Sequence, residues 1–214
     1  LAPRALAVAL LGEVDDAQSA RTKAVLDALP GRAALHGRLQ ALLDAPVVLG
    51  ARVAGERLFT LERGAGRDQA VLLASPALGD GPGPTRVLVD PVALLDDPTA
   101  AIDWFHPSRD GALVAVGTST GGDELSTLRV VEAATGAWRD DLITRTRAAS
   151  VAWRPDASGF AYTRYPDPAT VAEGEEGYHR TVFDHDLGTE PDDDPVVWAT
   201  ADDPTVWPPW RGRG

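Results

Sequence analysis

The sequence contains no cysteine, no methionine and a single lysine, Lys23. Without cysteine, a disulfide scaffold and a thiolate metal site are both excluded, and a reducing, cytoplasmic setting suits the chain. Without methionine even at position 1, the chain reads as a fragment or a processed piece. No run approaches the roughly twenty apolar residues that cross a bilayer. Residues 5–11 are apolar but lack the charged leader of a secretory signal. Positive charge is also scarce: 20 Lys and Arg stand against 32 Asp and Glu, a formal net charge of −12. Non-specific nucleic-acid binding needs a basic footprint, and anionic lipid surfaces repel an acidic chain. Neither nucleic acid nor membrane is therefore an expected partner.

What remains is a globular composition, 44% hydrophobic and 24% charged, with six tryptophans to anchor a core. The texture changes near residue 46. Before it the pattern is helical. Asp15 or Asp16 can cap a helix over residues 17–29, and Pro30 suits the first turn of a second. In that second segment Leu35, Leu39, Leu42 and Leu43 form one stripe. Asp44-Ala45-Pro46 ends it, because the residue before proline is pushed out of the helical region.

After residue 46, short strands alternate with Gly, Pro and Asp. Strands are predicted at 57–62, 70–74, 85–90, 113–118, 126–132, 150–153, 160–164, 181–186 and 195–199. An internal repeat organises them. Ile102-Asp103-Trp104-Phe105-His106-Pro107-Ser108-Arg109-Asp110-Gly111 reads like Val151-Ala152-Trp153-Arg154-Pro155-Asp156-Ala157-Ser158-Gly159. In each, a Trp strand ends at Pro and reverses at Asp110-Gly111 or Ser158-Gly159, Gly taking positive φ, before an apolar strand returns. A third start is expected at Trp207. This spacing is that of β-propeller blades, several strands to a unit. The expected fold is therefore mainly β: a partial propeller of about two to three four-stranded blades, preceded by two N-terminal α-helices. The division is 1–46 for the helical lead-in and 47–214 for an incomplete propeller, with blade starts near Trp104, Trp153 and Trp207.

Several segments resemble, in order, the N-terminal region of the prolyl oligopeptidase family of serine peptidases. They are the lead-in from Ala20 to Arg32, Gly66-Arg67-Asp68-Gln69-Ala70-Val71-Leu72, and Arg86-Val87-Leu88-Val89-Asp90-Pro91. Pro107-Ser108-Arg109-Asp110-Gly111 and Ser119-Thr120-Gly121-Gly122-Asp123-Glu124 follow. Gly159-Phe160-Ala161-Tyr162-Thr163-Arg164-Tyr165-Pro166 and His185-Asp186-Leu187-Gly188-Thr189 complete the set. The resemblance implies cleavage of short peptides after proline by a serine, histidine and aspartate of an α/β-hydrolase domain. That domain, the expected partner with peptide substrates, is absent from these residues, as is the family's Tyr-Arg-Trp-Leu-Glu opening. No catalytic, cofactor-binding or metal-binding residue is carried over, and the segment is expected to gate access without catalysing. The alternatives are a non-catalytic propeller-like module that completes its ring by self-assembly, and an oligopeptidase relative cutting after basic residues.

Three local patterns invite other readings. Gly117-Thr118-Ser119-Thr120-Gly121 satisfies the nucleophile-elbow pattern, but no helix is predicted after it, so a hairpin loop is expected. His179 and His185 share a strand face by parity, and Asp184 and Asp186 fall on the other, so these carboxylates cannot orient either ring. His36 on the second helix and His106 in a turn are expected to be structural or solvated. Asp192-Asp193-Asp194 lacks the spacing of a calcium loop and reads as an exposed acidic turn, as does the loop of Glu173, Glu175 and Glu176.

Overall fold

The computed structural model describes residues 3–77, 84–199 and 205–206. The chain divides into two compact units, Leu1–Ala45 and Pro46–Gly214. In the first, helix α1 runs Pro3–Asp27 and α2 runs Arg32–Leu43. Helix α1 begins well before the expected cap, and Asp15 and Asp16 lie inside it. The reason is the Ala- and Leu-rich segment after Pro3, whose residues lose little freedom in a helix. Pro30 lies outside α2, which starts after Gly31 in the left-handed region at φ 83°. Leu35, Leu39, Leu42 and Leu43 are exposed along α2.

The second unit consists of three four-stranded antiparallel sheets, each a meander in chain order. Blade 1 holds β1 (Val47–Ala54), β2 (Arg57–Arg63), β3 (Val71–Pro76) and β4 (Arg86–Val89). Blade 2 holds β5 (Ala101–Pro107), β6 (Leu113–Ser119), β7 (Thr127–Glu132) and β8 (Trp138–Ile143). Blade 3 holds β9 (Val151–Trp153), β10 (Gly159–Arg164), β11 (Thr181–Asp186) and β12 (Val196–Trp198). Each set forms a separate sheet packed on its neighbour, the blade arrangement expected. Strands β1 and β8 went unpredicted. Gly50 and a bulge after Val48 interrupt the alternation in β1, and Trp138-Arg139-Asp140-Asp141 reads as polar in β8.

The short helix α3 (Pro91–Leu95) joins blades 1 and 2. The Asp90 carboxylate caps it, accepting from the Val92 N–H at 3.2 Å, with Pro91 preset for the first turn.

Two apolar clusters fill the spaces between sheets. Phe59, Leu72, Val114, Val116 and Val131 lie between blades 1 and 2. Ala115, Leu128, Val130, Ile143, Phe160 and Tyr162 lie between blades 2 and 3. Strand β6 is therefore buried on both faces, Val114 and Val116 toward one neighbour and Ala115 toward the other. Burying each such side chain is worth about 1.5–3 kcal/mol. The face of blade 1 turned away from blade 2 exposes Val53 and Val87.

The repeat is real but its register differs from the sequence match. Trp104 pairs with Gly117, whereas Trp153 pairs with Phe160, the position that Pro107 holds against Val114. Ser108 and Arg154 are thus equivalent: their N–H groups bond the carbonyls of Leu113 and Gly159. The left-handed residue of the turn is Gly111 (φ 69°) in one blade and Ala157 (φ 55°), not Gly159, in the other. Pro107 ends β5 as expected, but Pro155 lies in the turn. Asp110 and Asp156 brace the equivalent turns, accepting at 3.0 Å from the N–H two residues on. Trp207 lies outside the described residues.

At the turns between β1 and β2 and between β5 and β6, main chain touches main chain. The Gly55 N–H donates to the Arg109 carbonyl at 3.1 Å. A β-carbon on Gly55 would overlap the Asp110 carbonyl, and one on Gly111 would overlap that of Ala54.

Candidate functional site

The first strands of the three blades, β1, β5 and β9, face a common cavity of about 520 Å³. Arg52, His106 and Arg109 supply its ionisable groups, so a cationic wall stands inside an acidic chain. An adjoining cavity of about 310 Å³, bordered by Leu49, Asp103 and Trp104, extends the groove between β1 and β5. The Arg52 guanidinium lies 5.8 Å from the centroid of the Phe105 ring, a cation–π distance. His106 sits on β5 itself and not in a turn, because that strand runs on to Pro107. Burial and, secondarily, the charge of Arg52 push its pKa down to about 4, against a hydrogen bond with the Ala149 backbone. At neutral pH His106 is therefore an uncharged ring in a positive surround. The groove is thus open, with Val53, Val151 and Trp153 beside the polar and cationic groups of Arg52, Ser108 and Arg109.

Ser119 is the last residue of β6, and a turn follows it before β7. Its hydroxyl donates to Asp103 Oδ1 at 2.9 Å, while Ser126 donates to Oδ2 at 2.6 Å. Asp103 thus pins the hairpin from the adjacent strand. Gly117 is required by packing: the Trp104 ring lies where its β-carbon would be. The pentapeptide is the hairpin expected.

The histidines are arranged otherwise than parity implied. His179 precedes β11, at φ 57°, and its Nε2 lies 3.0 Å from Glu175 Oε2. His185 is fully buried and contacts Asp141 and Asp194, so two carboxylates remote in sequence orient the ring. The acidic turn is only partly exposed: the Asp194 side chain is 2% exposed and faces inward to His185 and Tyr162. Asp184 and Asp186 instead pair with Arg154 on the other face of β11. Sequence reasoning missed this network because Asp141 meets His185 only when two blades pack, and Asp194 only when the β11–β12 connection folds back. Among the described residues no cluster of three or more His, Asp or Glu is disposed to hold a metal ion. No helix among them is long and apolar enough to cross a membrane.

Comparison with known proteins agrees with this architecture. Prolyl oligopeptidase A of Galerina marginata is 33% identical over 137 residues, covering 56% of this chain and 18% of that protein. Prolyl endopeptidase of Elizabethkingia miricola is 28% identical over 120 residues, covering 55% of this chain and 17% of that protein. The chain thus spans under a fifth of these relatives. A structure from a mechanistic study of two prolyl endopeptidases superposes with a TM-score of 0.77 at 29% identity, covering 87% of this chain and 27% of the other. Prolyl oligopeptidase B of Galerina marginata, bound to a 25mer macrocyclization substrate, shares the fold with a TM-score of 0.75 at 22% identity, over 90% of this chain and 30% of that one. The family model for the prolyl oligopeptidase N-terminal β-propeller domain matches residues 16–207, and the chain belongs to that family.

Proposed function

We propose that this chain is the access-controlling part of a serine-type oligopeptidase that cuts short peptides, most readily after proline, in the cytoplasm. The single observation that carries the reading is the shared cavity bounded by β1, β5 and β9. Its extended-strand walls suit an unfolded peptide. The chemistry itself falls to an α/β-hydrolase domain supplying serine, histidine and aspartate. Ser119 donates to a carboxylate, both ring nitrogens of His185 meet Asp carboxylates, and Nε2 of His179 meets Glu175.

The purified chain is expected to release no product from a chromogenic proline peptide above buffer. Turnover abolished by Ser119→Ala would overturn this assignment of the chemistry. A short peptide carrying a photoreactive residue is expected to label segments 51–54 and 106–109. Labelling confined to the outer strands would overturn the gating role.

A further inference from the structure

His185, on β11 of blade 3, is buried without exposure, yet both of its ring nitrogens meet carboxylates. Nε2 lies 3.0 Å from Asp141 Oδ1, on β8 of blade 2. Nδ1 lies 2.9 and 3.0 Å from the two oxygens of Asp194. Asp194 follows the 3₁₀ turn Pro191–Asp193, and that turn packs against β8. The connection from β11 to β12 is therefore a strap that reaches from blade 3 onto blade 2.

A neutral imidazole has one N–H and one lone pair. Placed between two carboxylates, it would aim that lone pair at an anion inside a low-dielectric junction. Only the imidazolium donates to both.

The other groups facing the site do not replace the proton. The Tyr162 hydroxyl donates to Asp194 Oδ2 at 2.8 Å, and the Gly188 N–H donates to Asp141 Oδ1 at 2.6 Å. Arg139 Nε stands 3.8 Å from Asp141 Oδ2, and Arg164 is directed to Asp192 at 2.8 Å. The Phe160 ring, 5.2 Å from the imidazole, brings no charge.

We propose that the His185 proton is a latch between blades 2 and 3: while it is present the strap lies closed on β8, and its loss frees Asp194 and the strap with it. Asp194 is the partner that leaves, because Asp141 is fixed within a strand whereas Asp194 adjoins the exposed Asp192 and Asp193. Burial opposes the charge, but the bonds to Asp141 and Asp194 outweigh it and raise the ring's pKa above the ordinary histidine value. A raised value places the closed state below that ordinary value and opening as pH rises through the folded one.

The test is side-chain ¹⁵N NMR of the wild-type chain, with amide hydrogen exchange from pH 6 to 9. Both His185 nitrogens are expected to be protonated at pH 6.5, with a titration midpoint above the ordinary histidine value. Protection of residues 187–198, normalised to β6, is expected to fall about tenfold as pH passes that midpoint. His185→Gln, which holds no such proton, is expected to leave the strap weakly protected at every pH. A neutral His185 at pH 6.5, or strap protection that ignores the midpoint, overturns the latch; both are read on the wild type, whatever the stability of the variant.

Discussion

The indole N–H of Trp153 donates to the backbone carbonyl of His106 at 2.9 Å, tying the first strand of blade 3 to the first strand of blade 2. The same ring meets Phe160 edge-on at 4.9 Å, so one side chain both closes a sheet and joins two. Trp153→Phe keeps an aromatic ring and deletes the donor. It is expected to cost about 1–2 kcal/mol, from one lost hydrogen bond and some lost contact area. Urea denaturation checks this: the midpoint falls while the slope holds.

Ala157 and Gly111 hold the same place in equivalent turns, both with positive φ, yet only one is a glycine. An L-residue pays about 1 kcal/mol for the left-handed region. Ala157→Gly is therefore expected to stabilise the chain by about 0.5–1 kcal/mol. Gly111→Ala is expected to destabilise it by more than that amount, because the new methyl also runs into the Ala54 carbonyl. Thermal unfolding of the two variants decides the matter, since their shifts must have opposite signs.

His106 sets an acid limit on the fold. Its folded pKa of about 4 lies below the ordinary value near 6.5, so the unfolded chain takes up a proton that the folded chain refuses. Stability contributed by the neutral ring is complete above the unfolded value and drains away as pH falls through this window, by about 3 kcal/mol at most. His185 does not act there, because its raised value keeps its own contribution intact on the acid side. Chemical denaturation at several pH values between 6.5 and 4.5 is expected to show the slope in the wild type. His106→Gln is expected to flatten it.

The architecture was legible because turn chemistry is local. Asp110 and Asp156 brace their turns through atoms two residues away. Helix α3 went unpredicted, because five residues are too few to show a helical period beside the strand expected over 85–90. The register was not legible. Trp104 and Trp153 look equivalent in sequence, but one lies against Gly117 and the other against Phe160, three positions apart in the ladder. Strand β8 escaped notice because its charged residues serve surfaces on either side: Asp140 is solvated, whereas Asp141 reaches into the next blade. The His185 cluster lay beyond local reading for the same reason. Its two carboxylates stand 44 and 9 residues away: blade packing brings Asp141 to the ring, and the fold-back of the β11–β12 connection brings Asp194.

Gly55 and Gly111 meet with no side chain between them. The approach of the first two sheets is thus set at these two turns by bare peptide. A single methyl at either position would act like a shim near a hinge. The displacement would pass across each sheet from its first strand, loosening the apolar cluster that holds Phe59 and Val114 without touching either residue.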